Sequence, residues 1–267
     1  MRRVCASLMV GVLLLLGVMA IGSEAALSDV LRLTVLYDNY GYDERLTTEW
    51  GFSCLIEGLA ETILFDAGGE PLVLRQNMNT LGVDTSPIEA VVLSHGHWDH
   101  YGGLSALLAL NLECPLYVPA NLPTATRREI GWPEGYVVDA QGSLEVCEGA
   151  CTTGQLLRPL PEHGLVLRTG DGLVVITGCA HPGIVEIVEK AIAVFPDDPV
   201  DLVLGGFHLG MATVAEVTQI IEGLRSLGVR RVAPSHCTGD RSKSLFASAF
   251  GDDFVEIGAG AVLEFDR

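Results

Sequence analysis

From residue 27 onward, short aliphatic and β-branched runs alternate with amphipathic stretches. Runs at 31–37, 52–56, 62–65, 90–93, 116–118, 165–168, 173–177, 202–204 and 261–265 are mostly bounded by Gly, Asp or Asn. They predict strands buried on one or both faces. Ile184, Ile187, Val188, Ala191, Ile192 and Phe195 fall on one helical face, and Pro196 stops that run. Val214, Val217, Ile220, Ile221 and Leu224 repeat the spacing. Thr213 and Glu216 are placed there to form a capping box, and Gly228 to close the helix in a left-handed turn. Weaker helical patterns cover 72–81, 104–110 and 245–250. Strands alternating with helices on this scale predict an α/β architecture. No low-complexity linker interrupts it, and the chain divides loosely near residue 150 into two halves.

The first 25 residues break this pattern. Arg2 and Arg3 precede an uncharged stretch from Leu8 to Ile21, and Ser23-Glu24-Ala25 follows with small residues where a signal peptidase reads. The apolar stretch is short of the roughly 20 residues that a membrane span needs. Cleavage after Ala25 is therefore the expectation, with an uncleaved anchor as the alternative. Either one exports residues 26–267, which form the expected domain.

Charge narrows the partners. The whole chain carries 16 basic and 34 acidic side chains, and 14 against 33, or −19, remain once Arg2, Arg3 and Glu24 are removed. Such a surface repels phosphate backbones, so a nucleic-acid partner is not expected, and solubility accounts for most of the charge. A membrane is met only through an uncleaved N-terminus. Six cysteines follow the leader, with no C-x-x-C pair among them, which removes zinc-ribbon and thioredoxin readings. Cys147 and Cys151 are close enough for an oxidising compartment to join them. A chain this long builds a core without such staples, so free thiols are expected for most of the six.

The candidate chemistry is concentrated in histidines. The apolar run Val91-Val92-Leu93 leads directly into Ser94-His95-Gly96-His97-Trp98-Asp99-His100. Four potential metal ligands in six residues at a strand end are not a packing pattern. His95 and His97, two apart, point to one side of an extended backbone. Asp99 and His100 follow where the chain turns, with Gly102 and Gly103 giving the backbone its freedom. Imidazoles and a carboxylate at this spacing fit a divalent metal.

This H-x-H-x-D-H segment resembles the signature of the metallo-β-lactamase superfamily. Leu64-Phe65-Asp66-Ala67-Gly68 is similar to that superfamily's first motif, Gly178-Cys179-Ala180-His181 to its third, and Pro234-Ser235-His236 to its last. More narrowly, Glu49-Trp50-Gly51-Phe52-Ser53, Gly178 to Ile184, Gly205-Gly206-Phe207-His208-Leu209 and Ser235-His236-Cys237-Thr238-Gly239 resemble the branch of dihydropterin-ribofuranosyl-aminobenzene-phosphate synthase-like proteins. The resemblance implies a four-layer αββα sandwich, an α/β fold counted as α+β in some schemes. It implies two divalent metal ions, zinc in the first instance with manganese or iron as alternatives. His95, His97 and His181 would hold one ion, and Asp99, His100 and His236 the other. Asp99 would also orient the attacking water. Asp66 would tie down ligand backbone or imidazole N–H groups.

One feature departs from the resemblance. Two-metal members mostly carry a bridging aspartate at the end of the strand expected at 202–204, where this chain has Gly205-Gly206-Phe207-His208. Asp201 is at the strand's other end. His208 is thus an added ligand, a proton donor to the leaving group, or a core histidine. His163 belongs to no motif and is expected to be an ordinary polar residue. Cys179 and Cys237 adjoin proposed ligands, and core packing is the expectation for both. The function implied is hydrolysis of a small-molecule ester, phosphoester or amide. The alternatives are an iron-dependent redox or sulfur-handling enzyme and a metal-dependent binding protein.

Overall fold

Nearly continuous apolar runs need cover on both faces of a sheet, and two sheets with outer helices provide it. A computed structural model describes residues 29–83, 87–110 and 113–267, so the expected leader lies outside the described residues. The first sheet contains β1 (Val30–Asp38), β2 (Phe52–Glu57), β3 (Thr62–Phe65), β4 (Ile88–Val92), β5 (Leu116–Pro119), β6 (Val137–Ala140) and β13 (Val262–Asp266), in the order β13-β1-β2-β3-β4-β5-β6. The second contains β7 (Glu145–Cys147), β8 (Ala150–Thr152), β9 (Leu165–Thr169), β10 (Gly172–Thr177), β11 (Val200–Gly206) and β12 (Arg231–Ser235), in the order β12-β11-β10-β9-β8-β7. The division expected near residue 150 falls earlier, between β6 and β7, and β13 crosses back to pair with β1.

Alternation along each strand sorts side chains into layers. Phe52, Cys54 and Ile56 of β2, with Val174 and Ile176 of β10 and Leu202 and Leu204 of β11, fill the space between the sheets. The outer face of the first sheet, through Leu55, Leu64 and Val91, packs on Leu74 and Met78 of α1 (Pro71–Leu81) and Leu104 and Leu107 of α3 (Leu104–Leu108). Leu173, Val175 and Val203 pack on α5 (Ile184–Val194), α6 (Val214–Ser226) and α7 (Asp240–Phe250). The result is the four-layer αββα sandwich.

The expected capping box is formed: Thr213 Oγ1 accepts from the Glu216 backbone N–H, and Glu216 Oε2 accepts from that of Thr213 at 2.7 Å. Gly228 closes α6 at φ 78°. Several elements were not expected, among them β6, β7, β8, β12 and α4 (Thr124–Ile130). Among the described residues all six cysteines are free, and the register sets Cys147 opposite Ala150 and Cys151 opposite Glu145. No described helix is long and apolar enough to cross a membrane.

Candidate metal centre

Parallel strands end together, and here their carboxyl ends deliver the site. β3 and β4 run parallel in one sheet, and β10, β11 and β12 in the other. Asp66 follows β3, and the H-x-H-x-D-H segment follows β4 and enters the single turn α2 (Trp98–Tyr101). Cys179 and His181 follow β10, His208 follows β11, and His236 and Cys237 follow β12. Asp66, Ala180, His208 and His236 adopt φ of 54°, 60°, 52° and 48°. They are the described non-glycine residues in that region, which side chains rarely enter, and all lie in these turns. Gly102 and Gly103 have ordinary helical φ. Their glycines are needed instead for room, because a Cβ at either would strike the carbonyl of Gly69 or Ala67.

The expected ligands converge. The His95 ring lies 4.7 Å from those of His97 and His181 and 4.3 Å from His100, and His97 and His181 are 4.7 Å apart. His100 and His236 are 5.1 Å apart. Asp99 Oδ2 stands 3.6 Å from His100 Nε2 and 3.3 Å from His236 Nε2. His97 is at the exposed rim beside Trp98, and Trp50 stands 4.8 Å from His236.

Four imidazoles of the site, those of His95, His100, His181 and His236, are held from behind through Nδ1. Asp66 Oδ2 takes His100 Nδ1 at 2.7 Å, as expected of Asp66, and also accepts from Ser94 Oγ at 2.7 Å. Having given its proton to Asp66, the Ser94 hydroxyl accepts from His95 Nδ1 at 2.8 Å. Asn39 Oδ1 accepts from His236 Nδ1 at 2.8 Å. His181 Nδ1 meets Glu162 Oε2 at 2.8 Å. Glu162 also accepts from the backbone N–H groups of Cys179, Ala180 and His181 at 2.7–3.1 Å. Sequence reasoning missed Asn39 and Glu162. The only signal was a polar residue at an apolar strand's border.

With Nδ1 protonated, the Nε2 of a neutral imidazole presents its lone pair to the cleft. The Nε2 atoms of His95 and His236 are buried with no hydrogen-bond partner. Orphaned polar atoms cost about 1–3 kcal/mol each, so two aimed at one space fit a cation there. Burial, then the neighbouring imidazoles, hold the His95 pKa well below the usual range, leaving it a neutral donor. Burial opposes charge on His100, yet Asp66 and Asp99 outweigh it and push the imidazole up to about 9. Burial raises Asp99, but His236 and His100 bring it down to about 2.

Among the described residues three donor groups have ligand atoms within 4.8 Å of one another: Asp99, His100, Cys179 and His236; His95, Cys179 and His181; and Cys179, His208 and Cys237. The packing expected of Cys179 and Cys237 is therefore only half the story: both are buried, and both sulfurs sit among the donors. His208 is exposed, which removes the core alternative, and its ring stands 4.2 Å from His181. Asp201 is buried at the far end of β11, paired with Arg231 at 2.6 Å and with Arg230. His163 is fully buried, its Nε2 bonded to the Leu93 carbonyl at 2.9 Å.

An αββα sandwich with histidines at these strand ends defines a superfamily, and the chain belongs to it: residues 51–236 match the metallo-beta-lactamase superfamily. Among curated proteins it is similar to the 7,8-dihydropterin-6-methyl-4-(beta-D-ribofuranosyl)-aminobenzene-5'-phosphate synthase of Methanocaldococcus jannaschii, at 28% identity over 89% of this chain and 97% of that one. Among solved structures it is similar to a metal-dependent hydrolase of the beta-lactamase superfamily, at 29% identity and a TM-score of 0.72, over 89% of this chain and 100% of that one. Human tRNase Z, short form, shares the fold, at 15% identity and a TM-score of 0.60, over 88% and 100% of the two chains.

Proposed function

We propose that this protein is a metal-dependent hydrolase that binds two divalent ions, zinc in the first instance, and cleaves a small-molecule ester, phosphoester or amide with an activated water. The observation that carries the reading is the aim of the imidazoles. Four Nδ1 atoms are tied to a hydroxyl, an amide or a carboxylate, and the opposite nitrogens converge, those of His95 and His236 without a hydrogen-bond partner. His95, His97 and His181 would hold one ion, and Asp99, His100 and His236 the other. Bound there, the ions would supply Lewis acidity and lower the pKa of water to roughly 7.

The protein's own groups do the rest. Asp99 Oδ2, between His100 and His236, accepts a hydrogen from the attacking water and so sets its direction. His208, at the mouth beside His181, donates a proton to the leaving group. Asp66 and Glu162 fix the imidazoles and keep water from their Nδ1 faces. Similarity to a solved metal-dependent hydrolase supports the reading, and the curated relative, a synthase, supports enzymatic activity more broadly.

Elemental analysis of the purified protein, with a panel of chromogenic phosphodiesters, thioesters and lactams, tests it. His97→Ala should weaken metal binding by at least about 10–100-fold and abolish turnover with the fold intact. His208→Ala should lose rate while keeping its metal. Hydrolysis is overturned if the wild type holds redox-active iron and turns over nothing in the panel. A wild type without metal, or a His97→Ala variant with its full complement, removes the metal reading itself.

A further inference from the structure

Cys179 is common to all three donor groups found among the described residues. Its sulfur is buried and stands 3.3 Å from His100 Nε2. One group that shares it contains His95 and another His236, the two residues whose buried Nε2 atoms have no partner. A donor within reach of both sets occupies the middle of the site.

The two glycines that end β11 leave no room for a carboxylate at that position. A Cβ on Gly206 would strike the carbonyl of Gly178 and come within 2.7 Å of Cys237 Sγ, and one on Gly205 would strike the carbonyl of Thr177. No carboxylate can be carried there without displacing backbone. Cys237 Sγ fills the space beside Gly206 and contacts the Cys179 carbonyl at 3.7 Å. On the opposite side, Glu162 Oε1 holds the backbone N–H groups of Cys179 and Ala180, and the left-handed Ala180 at φ 60° turns the chain so that residues 179 and 181 both face the cleft. The backbone of Cys179 is thus held from both sides, and its sulfur lies 3.3 Å from His100 Nε2.

From this geometry we infer that the Cys179 thiolate is the shared ligand that bridges the two metal positions, one sulfur standing where an oxygen bridge from β11 is sterically barred. This rests on the two-metal reading above. Coordination replaces the S–H bond by bonds from sulfur to the ions, and the proton leaves to solvent, so loading should release a proton from this residue. A thiolate at the centre also favours zinc over manganese.

X-ray absorption at the zinc edge of the wild-type, zinc-loaded protein tests the inference without measuring activity. A zinc–sulfur shell at about 2.3 Å is expected beside nitrogen and oxygen at about 2.0–2.2 Å. Cys237→Ser should retain that shell, whereas Cys179→Ser should lose it and fall from two zinc ions per chain to one. A wild-type spectrum with nitrogen and oxygen alone overturns the bridge and leaves the metal reading standing. A shell lost in Cys237→Ser and kept in Cys179→Ser assigns the sulfur elsewhere and also overturns it. Absence of bound zinc removes both readings. If Cys179→Ser does not fold, the wild-type and Cys237→Ser spectra decide, because no other described cysteine belongs to the donor groups.

Discussion

Glu162 and His163 sit side by side before β9, both without exposed surface, and one is held charged while the other is held neutral. Burial raises the Glu162 carboxyl, but its bonds to His181 and to the 180–181 backbone outweigh burial and hold it below the usual range. Burial pushes His163 down to about 4, only partly offset by the Leu93 carbonyl and Glu162. His163 is therefore a buried neutral strut under the strand that delivers His95, not the ordinary polar residue its isolation in sequence suggests. The unfolded chain binds a proton at His163 near pH 6.5 and the folded one near 4. No cost appears above about pH 6.5, and stability is lost as pH falls from there toward 4, at up to about 1.4 kcal/mol per pH unit. His163→Gln should flatten that acid limb in denaturant melts at stepped pH, and an unchanged profile would refute the assignment. His95, His97, Asp99 and His100 were legible because they are neighbours in sequence. Glu162 was not, since its partners are brought to it only by the pairing of β9 with β10. The inward turn of Cys179 depends on the conformation of Ala180, which sequence spacing does not encode.

At the scale of elements, the site depends on where strands stop. β11 ends in glycines because β10 and β12 press on it from both sides at that point, with Thr177 opposite Gly205 and Ser235 opposite Gly206. Gly206→Ala should cost about 1–3 kcal/mol by overpacking, lowering Tm by roughly 2–10 °C, and should weaken metal retention. Gly142→Ala, where a Cβ would meet nothing within 4 Å, is the control. Equal Tm values for the two variants would contradict the steric account. Strands buried on both faces were readable as apolar runs, and α5 and α6 as stripes with legible ends. β12 was not, because Pro234 interrupts its pattern; it is tolerated as part of an edge strand. β6, β7 and β8 are only three or four residues long, too short to show a period.

For the whole molecule, layers were predictable and connections were not. The covered faces demand two sheets between helices, but the return of β13 to β1 joins residues more than two hundred apart and leaves no local mark. The charge of −19 after residue 25 acts over the entire surface. Although the fold is shared with a tRNase Z, tRNA should show no salt-sensitive binding in an anisotropy titration at physiological ionic strength. Saturable binding that weakens as salt is added would contradict this.

The pairing of β1 with β13 also fixes how the molecule can be tethered. Val30 lies opposite Asp266, so both ends of the fold leave from one place. The other end of β1, at Asp38, leads to Asn39 and its bond to His236. Eight steps of extended chain put roughly 26 Å between those ends. A tag or surface linkage attached beside Val30 or Asp266 would therefore hold the fold by the end away from the cleft, leaving the metal centre free to meet dissolved molecules.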